Sequence, residues 1–191
     1  MPPGVLRWHA FHPAIRTDWG CHAVRSLDGR WVVFDPIDGP GGLEVGALRA
    51  GDVRGVVATN GNHERAAMSW ICDGGPVAWA SPDSGLPCPP WQPLSPGSPW
   101  LDDWEVADLR GGGPGEIAIR IPALDLVVFG DAVIHLPGRG LELLPDKYCA
   151  DPRALRESMA RFLARPFSRA LLAHGEPLLE EASTRIAALL S

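Results

Sequence analysis

The sequence has little lysine and no long apolar run. Lys147 is the only lysine among 191 residues, and the formal net charge is −6. A basic surface for nucleic acid is therefore not expected. The first sixteen residues contain no apolar run of signal-peptide length, and no stretch reaches the roughly 20 apolar residues that span a membrane. We expect a cytoplasmic protein with no nucleic-acid or membrane partner and with a small molecule as its ligand or substrate.

Cysteine is also scarce, and several catalytic motifs are missing. Cys21, Cys72, Cys88 and Cys149 lie far apart with no Cys-x-x-Cys pair, which argues against a zinc knuckle and a redox dithiol. Reduced, mostly buried thiols are expected. No Gly-x-Ser-x-Gly is present, so a serine hydrolase of the α/β type is not expected. The glycine-rich turn 111–115 lacks the Gly-Lys-Ser/Thr of a phosphate-binding loop.

Apolar residues, glycine and proline are plentiful. Hydrophobic residues make up 46% of the chain, which is enough for a buried core in one domain spanning residues 1–191. The 22 glycines and 20 prolines favour short strands and turns and exclude an all-helical fold. Seven prolines in residues 81–100 predict a long surface loop or lid. Trp91 and Trp100 in this loop either cover an apolar ligand or, as we favour, pack in the core.

Hydrophobic patterning predicts short strands interspersed with a few helices. Strands are expected at 22–26, 31–34, 54–59, 77–80, 104–109, 116–121, 126–129 and 168–173, and helices at 43–49, at 64–72, after Asp151-Pro152 and from Pro177. The first two strands form a hairpin around Asp28-Gly29, and the three strands between 104 and 129 begin a second sheet. Polar residues follow three of the strands: Thr59 to Arg65, Gly130-Asp131 and His174-Gly175.

The order and spacing of these motifs resemble the metallo-β-lactamase-fold superfamily. That superfamily has a T-H-x-H-x-D-H loop, a G-H-T-P-G-S turn, a T-G-D strand end and a G-H strand end. Here the corresponding segments read T-N-G-N-H-E-R, G-G-G-P-G-E, F-G-D and A-H-G. The resemblance is to a divergent branch with T-N-x-x-H-x-R and with G-L-E-L-L-P-D-K, here Gly140 to Lys147. It implies an α+β fold, a shortened four-layer αββα sandwich.

The resemblance also implies a degraded dinuclear metal site. The ligands of one metal fall on Asn60, Asn62 and Gly112, none of which is a good zinc ligand. The second metal's ligands fall on Glu64, Arg65, His174 and Asp131. At most one divalent ion (zinc, manganese or iron) is therefore expected, at Glu64, Asp131 and His174, and the alternative is that no metal ion is bound.

Arg65 and His63 give this loop its own chemistry. A guanidinium cannot ligate a metal but pairs with carboxylates, so Arg65 is expected to neutralise Asp131 and Glu64 where the metal would lie. His63 falls at a variable position and carries no implied metal role. It is either a general base oriented by Asp131 or Glu64, or a histidine that caps the following helix. Asn62 is a candidate helix cap.

Two functions follow from these observations. The first is a hydrolase-like protein with at most one metal, acting on an ester, amide or phosphoester with Asp131 and His63 as catalytic residues. The second is a non-catalytic pseudoenzyme that binds a small ligand or a protein partner, with Arg65 in place of the metal. Its pocket is expected to include Asn60, Asn62, Arg65 and Gly112.

Overall fold

The computed structural model describes residues 1–38, 48–71, 75–97 and 100–191. Twelve strands and two α-helices occur in these described residues. They are β1 (Val5–His12), β2 (Thr17–Arg25), β3 (Trp31–Phe34), β4 (Val53–Ala58), β5 (Val77–Ala80), β6 (Trp91–Pro93), β7 (Glu105–Asp108), β8 (Ile117–Ile121), β9 (Leu126–Phe129), β10 (Val133–Leu136), β11 (Gly140–Leu143), α1 (Pro152–Leu163), β12 (Arg169–Leu172) and α2 (Ala182–Ala187).

The first sheet has the order β1-β2-β3-β4-β5-β6. Strands β1 to β3 are antiparallel, and β3 to β6 run parallel. The predicted hairpin is confirmed, and Gly29 at its turn has a φ of 84° that glycine adopts readily. It does not open the fold, however, because β1 precedes it as an edge strand.

The second sheet has the order β12-β9-β8-β7, with β12 parallel to β9 and the other pairs antiparallel. In β8 the side chains alternate: Ile117, Ile119 and Ile121 pack between the two sheets, whereas Ala118 packs toward the helices. The predicted strands of this sheet are confirmed. Strands β10 and β11 form a separate two-stranded ribbon that the sequence analysis did not predict.

Three apolar clusters give the layers of an αββα sandwich, as predicted. One cluster lies between the sheets, and a second lies between the second sheet and the helices, where Leu155 and Met159 of α1 are buried. A third covers the outer face of the first sheet with Ala67 and Trp70. Short 3-10 turns form this outer layer in the described residues between β3 and β6.

Two predicted helices are corrected. The segment 64–72 does not form an α-helix, because Arg65 has a φ of 43° in the left-handed region and interrupts any helix there. A 3-10 turn at Ala67–Ser69 follows instead. The last helix begins at Ala182 and not at Pro177, because Leu178 pairs with Ala170 in a β-bridge. Residues 43–47 of the predicted helix at 43–49, and Cys72, lie outside the described residues.

The tryptophans of the proline-rich segment pack in the core. Trp91 is buried on the first sheet, and Trp100 contacts the rings of Trp79 and Trp104 at centroid distances of 5.0 and 5.8 Å. This arrangement favours the packing role over a ligand-covering role. No helix in the described part of the chain is long and apolar enough to cross a membrane.

We predict that His22 in β2 makes the stability depend on pH. Burial lowers the pKa of His22 to about 4, and its Nε2 donates to the carbonyl of Leu172 at 2.9 Å. Because the unfolded chain takes up this proton near pH 6.5, the neutral ring stabilises the fold fully above pH 6.5, and this contribution is lost as the pH falls from 6.5 to 4. The loss is on the order of 3 kcal/mol.

Urea unfolding of His22→Gln and the wild type between pH 4 and 8 measures this effect. The stability difference between the two proteins should shrink as the pH falls toward 4. The matched control is His9→Gln, since His9 is an exposed histidine on β1 with a side chain 44% accessible. A difference that stays constant across this range would contradict the assignment.

Candidate metal centre and active-site cleft

Four strand ends meet at one edge of the sandwich. Asp35 follows β3, Thr59 follows β4, Asp131 follows β9 and His174 follows β12. Because β3 and β4 are parallel, as are β9 and β12, their polar carboxyl-terminal residues emerge on the same side. Backbone hydrogen bonds join the two sheets at this edge, including Ile117 N to Thr59 O at 2.9 Å.

Asp131 lies between two histidines. Its Oδ1 is 3.2 Å from His63 Nε2 and 3.1 Å from His174 Nε2. One ligand atom from each of these three residues lies within 4.8 Å of the other two. Two imidazoles and one carboxylate are a donor set that divalent zinc, manganese or iron accepts. Three protein ligands also leave coordination positions open, as in catalytic metal sites.

The outer nitrogen of each histidine is held by the protein. His63 Nδ1 is 3.0 Å from Asp35 Oδ2, and Asp35 in turn accepts hydrogen bonds from the amide and the hydroxyl of Thr59. His174 Nδ1 donates to the carbonyl oxygen of Asp18 at 3.0 Å. Such partners fix the ring orientation and direct Nε2 toward the metal position. Gly175 has a φ of 85°, and a Cβ there would lie 1.6 Å from His135 O, so only glycine fits beside His174.

The buried charges of this cluster shift one another's pKa. Burial opposes the imidazolium of His63, but the carboxylates of Asp35 and Asp131 outweigh it and raise its pKa to about 9. Burial likewise opposes ionisation of Asp35 and Asp131, yet the charge of His63 keeps both pKa values below the ordinary range. This shift favours the protonated form of His63 when no metal is bound. The general-base role of His63 stays a prediction.

Asn60 and Gly112, two positions to which the resemblance assigns ligands of a first metal, both lie against Glu116. Asn60 Nδ2 donates to Glu116 Oε2 at 2.8 Å and to Asp131 Oδ2 at 3.1 Å, and Glu116 Oε1 accepts from Ala132 N at 3.0 Å. Burial, with the negative charge of Asp131 nearby, raises the pKa of Glu116 to about 8. A Cβ at Gly112 would lie 2.8 Å from Glu116 Cγ, so Glu116 takes the space of a side chain at 112.

Arg65 contacts the site differently from the prediction. Its Nη1 donates to the carbonyl oxygens of Gly20 at 2.9 Å and Asp35 at 3.1 Å, and its Nη2 is 3.2 Å from His63 Nε2. The guanidinium also lies 5.0 Å from the ring centroid of Trp19. The expected ion pairs with Asp131 and Glu64 do not occur among the described residues. The left-handed backbone at Arg65 explains this, because it turns the side chain back toward β2 and β3.

The cluster differs by one residue from the set of metal ligands that the resemblance implied. Glu64 is half-buried and is not in the cluster, and His63 takes its place beside Asp131 and His174. The 3-10 turn at Gly61–His63 brings the 63rd side chain inward. Asn60, and not Asn62, caps this turn, since its side chain accepts from the amide of Asn62 at 2.9 Å.

Sequence reasoning missed Asp35, Glu116 and the carbonyl of Asp18. Asp35 directly follows the predicted strand 31–34, and Glu116 ends the G-G-G-P-G-E turn and begins the predicted strand 116–121, but neither pattern assigns it a role in the site. A carboxylate directly after a buried strand was the available signal for Asp35, as it was for Asp131. For Glu116 the signal was a carboxylate after the glycine turn, and only the packing against Gly112 shows its role.

His174 and Asp131 open onto a cleft of about 900 Å³, and His63 is buried behind them. Asn62, Gly113, Asp131 and His174 lie on its polar side. The remaining lining comes from the β1–β2 hairpin, from the β10–β11 ribbon and from residues 144–148, and it is largely apolar. Of the four predicted pocket residues, Asn62 lines this cleft, whereas Asn60, Arg65 and Gly112 are not among its lining residues. A cleft of this size accommodates a small organic molecule next to the candidate metal centre.

Comparisons with known proteins identify the fold. No protein-family model and no curated protein matches the sequence. The chain is similar in structure to a metallo-β-lactamase from Erythrobacter litoralis, with 16% identity, a TM-score of 0.73 and coverage of 100% of this chain and 93% of that one. A β-lactamase domain protein from Burkholderia ambifaria is 20% identical, with a TM-score of 0.67 and coverage of 99% of this chain and 74% of that one. The protein TTHA1623, solved in a di-iron-bound form, is 22% identical, with a TM-score of 0.63 and coverage of 89% of this chain and 93% of that one. At these identities the shared property is the fold.

We predict that Asp35→Asn destabilises the protein strongly. The substitution leaves the buried His63 without its carboxylate and puts an amide beside the Thr59 amide, so breaking this buried pair should cost about 3 kcal/mol or more. Urea unfolding in the presence of a chelator measures the loss. The control is Asp103→Asn, which changes an exposed carboxylate and should alter stability little. Equal effects of the two substitutions would contradict the role given to Asp35.

Proposed function

We propose that this chain, which has the metallo-β-lactamase fold that its motifs predicted, is a hydrolase that uses one divalent metal ion. His63, Asp131 and His174 would hold the ion, and an ester, amide or phosphoester bound in the cleft would be cleaved beside it. The convergence of three ligand atoms within 4.8 Å at the head of a ligand-sized cleft carries this proposal.

The donor set supports binding of a metal. Both histidines have their Nδ1 atoms engaged elsewhere, so their Nε2 atoms and Oδ1 of Asp131, which face one another, are the atoms that would hold the ion. A bound divalent ion would lower the pKa of water and polarise the bond to be cleaved. The second oxygen of Asp131 is held by Asn60, which keeps the carboxylate in one orientation.

A second ion is not part of the proposal. Its ligands in the family fall on Asn60, Asn62 and Gly112, and the carboxyl of Glu116 with the amide of Asn60 fills that region here. With its pKa raised to about 8, Glu116 is mostly uncharged at neutral pH and is a poor cation ligand. The chain is therefore proposed to work with one ion where a structural neighbour is described in a di-iron-bound form.

We predict that the purified protein holds about one metal ion per chain and that His174→Ala loses it. Removing one of three ligands should weaken binding by about a hundredfold or more. Elemental analysis after dialysis against zinc, manganese and iron measures the stoichiometry, and p-nitrophenyl acetate reports hydrolysis. The control is His9→Ala, an exposed histidine outside the cluster. Two ions per chain, or one ion that survives in His174→Ala, would contradict the proposed site.

A specific observation favours a second candidate function, a non-catalytic protein that binds a ligand or partner. Arg65 Nη2 lies only 3.2 Å from His63 Nε2, so a permanent positive charge sits next to a proposed ligand atom. The protonated His63 also closes the cluster without a metal, since its Nε2 faces Asp131 Oδ1 at 3.2 Å. Metal-free protein without turnover of ester, amide and phosphoester substrates would support this candidate.

We predict that Arg65→Met binds zinc more tightly than the wild type, by about tenfold, because a neighbouring positive charge is removed from a buried site. The variant should also lose about 1–3 kcal/mol of stability, since Gly20 O and Asp35 O lose their donor. Competition with a chromophoric chelator on folded protein measures the affinity. Arg110→Met is the exposed control. Unchanged affinity in Arg65→Met would show that Arg65 does not oppose the metal.

A further inference from the structure

We infer that the cleft binds amphipathic carboxylates, with Arg16 as the contact for the negatively charged end and the apolar body lying along the wall between Arg16 and the metal centre. The inference concerns binding alone and does not depend on the proposed hydrolysis. It rests on two features of the cleft: its exposed apolar walls, and the pairing of the charged residues that line it.

Two hairpins supply the apolar wall. Phe11 and Ile15 belong to the β1–β2 hairpin and are 64% and 51% exposed, although both are large apolar residues. Leu136 and Pro137 of the β10–β11 ribbon line the same cleft, as does the ring of Tyr148. Exposed apolar side chains that converge on one cleft indicate a ligand with an apolar body.

Each hairpin turn also places an arginine in the cleft lining, and the two arginines differ. Arg139 donates two hydrogen bonds to Glu142, at 2.8 and 2.7 Å, so its charge is already paired. Arg16 makes no ion pair and no side-chain hydrogen bond with any residue that the structure describes. It is exposed at the turn before β2 with a φ of 54°. Arg16 is thus the guanidinium available for a planar anion such as a carboxylate.

The negatively charged residues of the cleft already have partners. Asp131 lies between His63 and His174, and Asp18 Oδ2 is 3.7 Å from His9 Nδ1. A ligand's negative end is therefore attracted by Arg16, and its apolar body is left to the exposed apolar wall.

Titration calorimetry with decanoate and with decanol, in a chelating buffer, tests the inference. Decanoate should bind more tightly than decanol. Arg16→Gln should weaken decanoate binding by about threefold to fivefold, as expected for one exposed ion pair, and should leave decanol binding unchanged. Arg139→Gln should have a smaller effect, because Glu142 already pairs with that arginine. Arg110→Gln, an exposed arginine paired with Asp108 outside the cleft, is the matched control.

Four outcomes would overturn the inference: no binding of either compound, equal affinity for decanoate and decanol, an equal effect of Arg16→Gln and Arg110→Gln, or decanoate binding that does not weaken when salt is raised from low to high concentration. Because the chelator removes metal from the protein in every titration, a failure of decanoate to bind would not contradict the proposed metal site. Loss of metal binding with intact decanoate binding would overturn only the proposed hydrolase.

Discussion

The candidate site depends on the polar contacts of the Asp131 carboxylate with its neighbours. One of its oxygens is shared by His63 and His174, and the other is held by Asn60. These residues lie in the loops that follow β4, β9 and β12, so the carboxylate of Asp131 connects loops of both sheets at one edge of the sandwich. Its burial demands partners, because an isolated buried charge is costly. The two imidazoles and one amide supply those partners, and a divalent ion would supply another.

The charges around Asp131 balance one another. Asp35 and Asp131 are negative, Arg65 and the metal-free His63 are positive, and Glu116 is held mostly neutral by burial. This balance lets the cluster exist without an ion, yet it leaves three donor atoms within reach of one. We expect Arg65 to influence which of these states forms, since its guanidinium adjoins His63 Nε2 and is hydrogen-bonded to the backbone of Gly20 and Asp35.

Much of the fold could be predicted from the sequence, because apolar alternation and turn residues act locally. β8 and β9 were predictable from runs such as Ile117–Ile121. Strand β1 was not, because its exposed face mixes polar and apolar residues at a sheet edge. Motif order located Asp131 and His174. The exchange of Glu64 for His63 depends on a 3-10 turn and on the left-handed backbone at Arg65, and such backbone geometry is set by tertiary contacts that periodicity does not contain.

X-ray absorption spectroscopy of the zinc-loaded protein tests the central claim most directly. The account predicts one zinc with two imidazole ligands and oxygen in the remaining positions, and no scattering from a neighbouring metal. Zinc surrounded by three imidazoles, or a metal–metal distance in the spectrum, would contradict the roles given to His63, His174 and Glu116. Failure of the protein to retain any zinc would contradict the metal site itself.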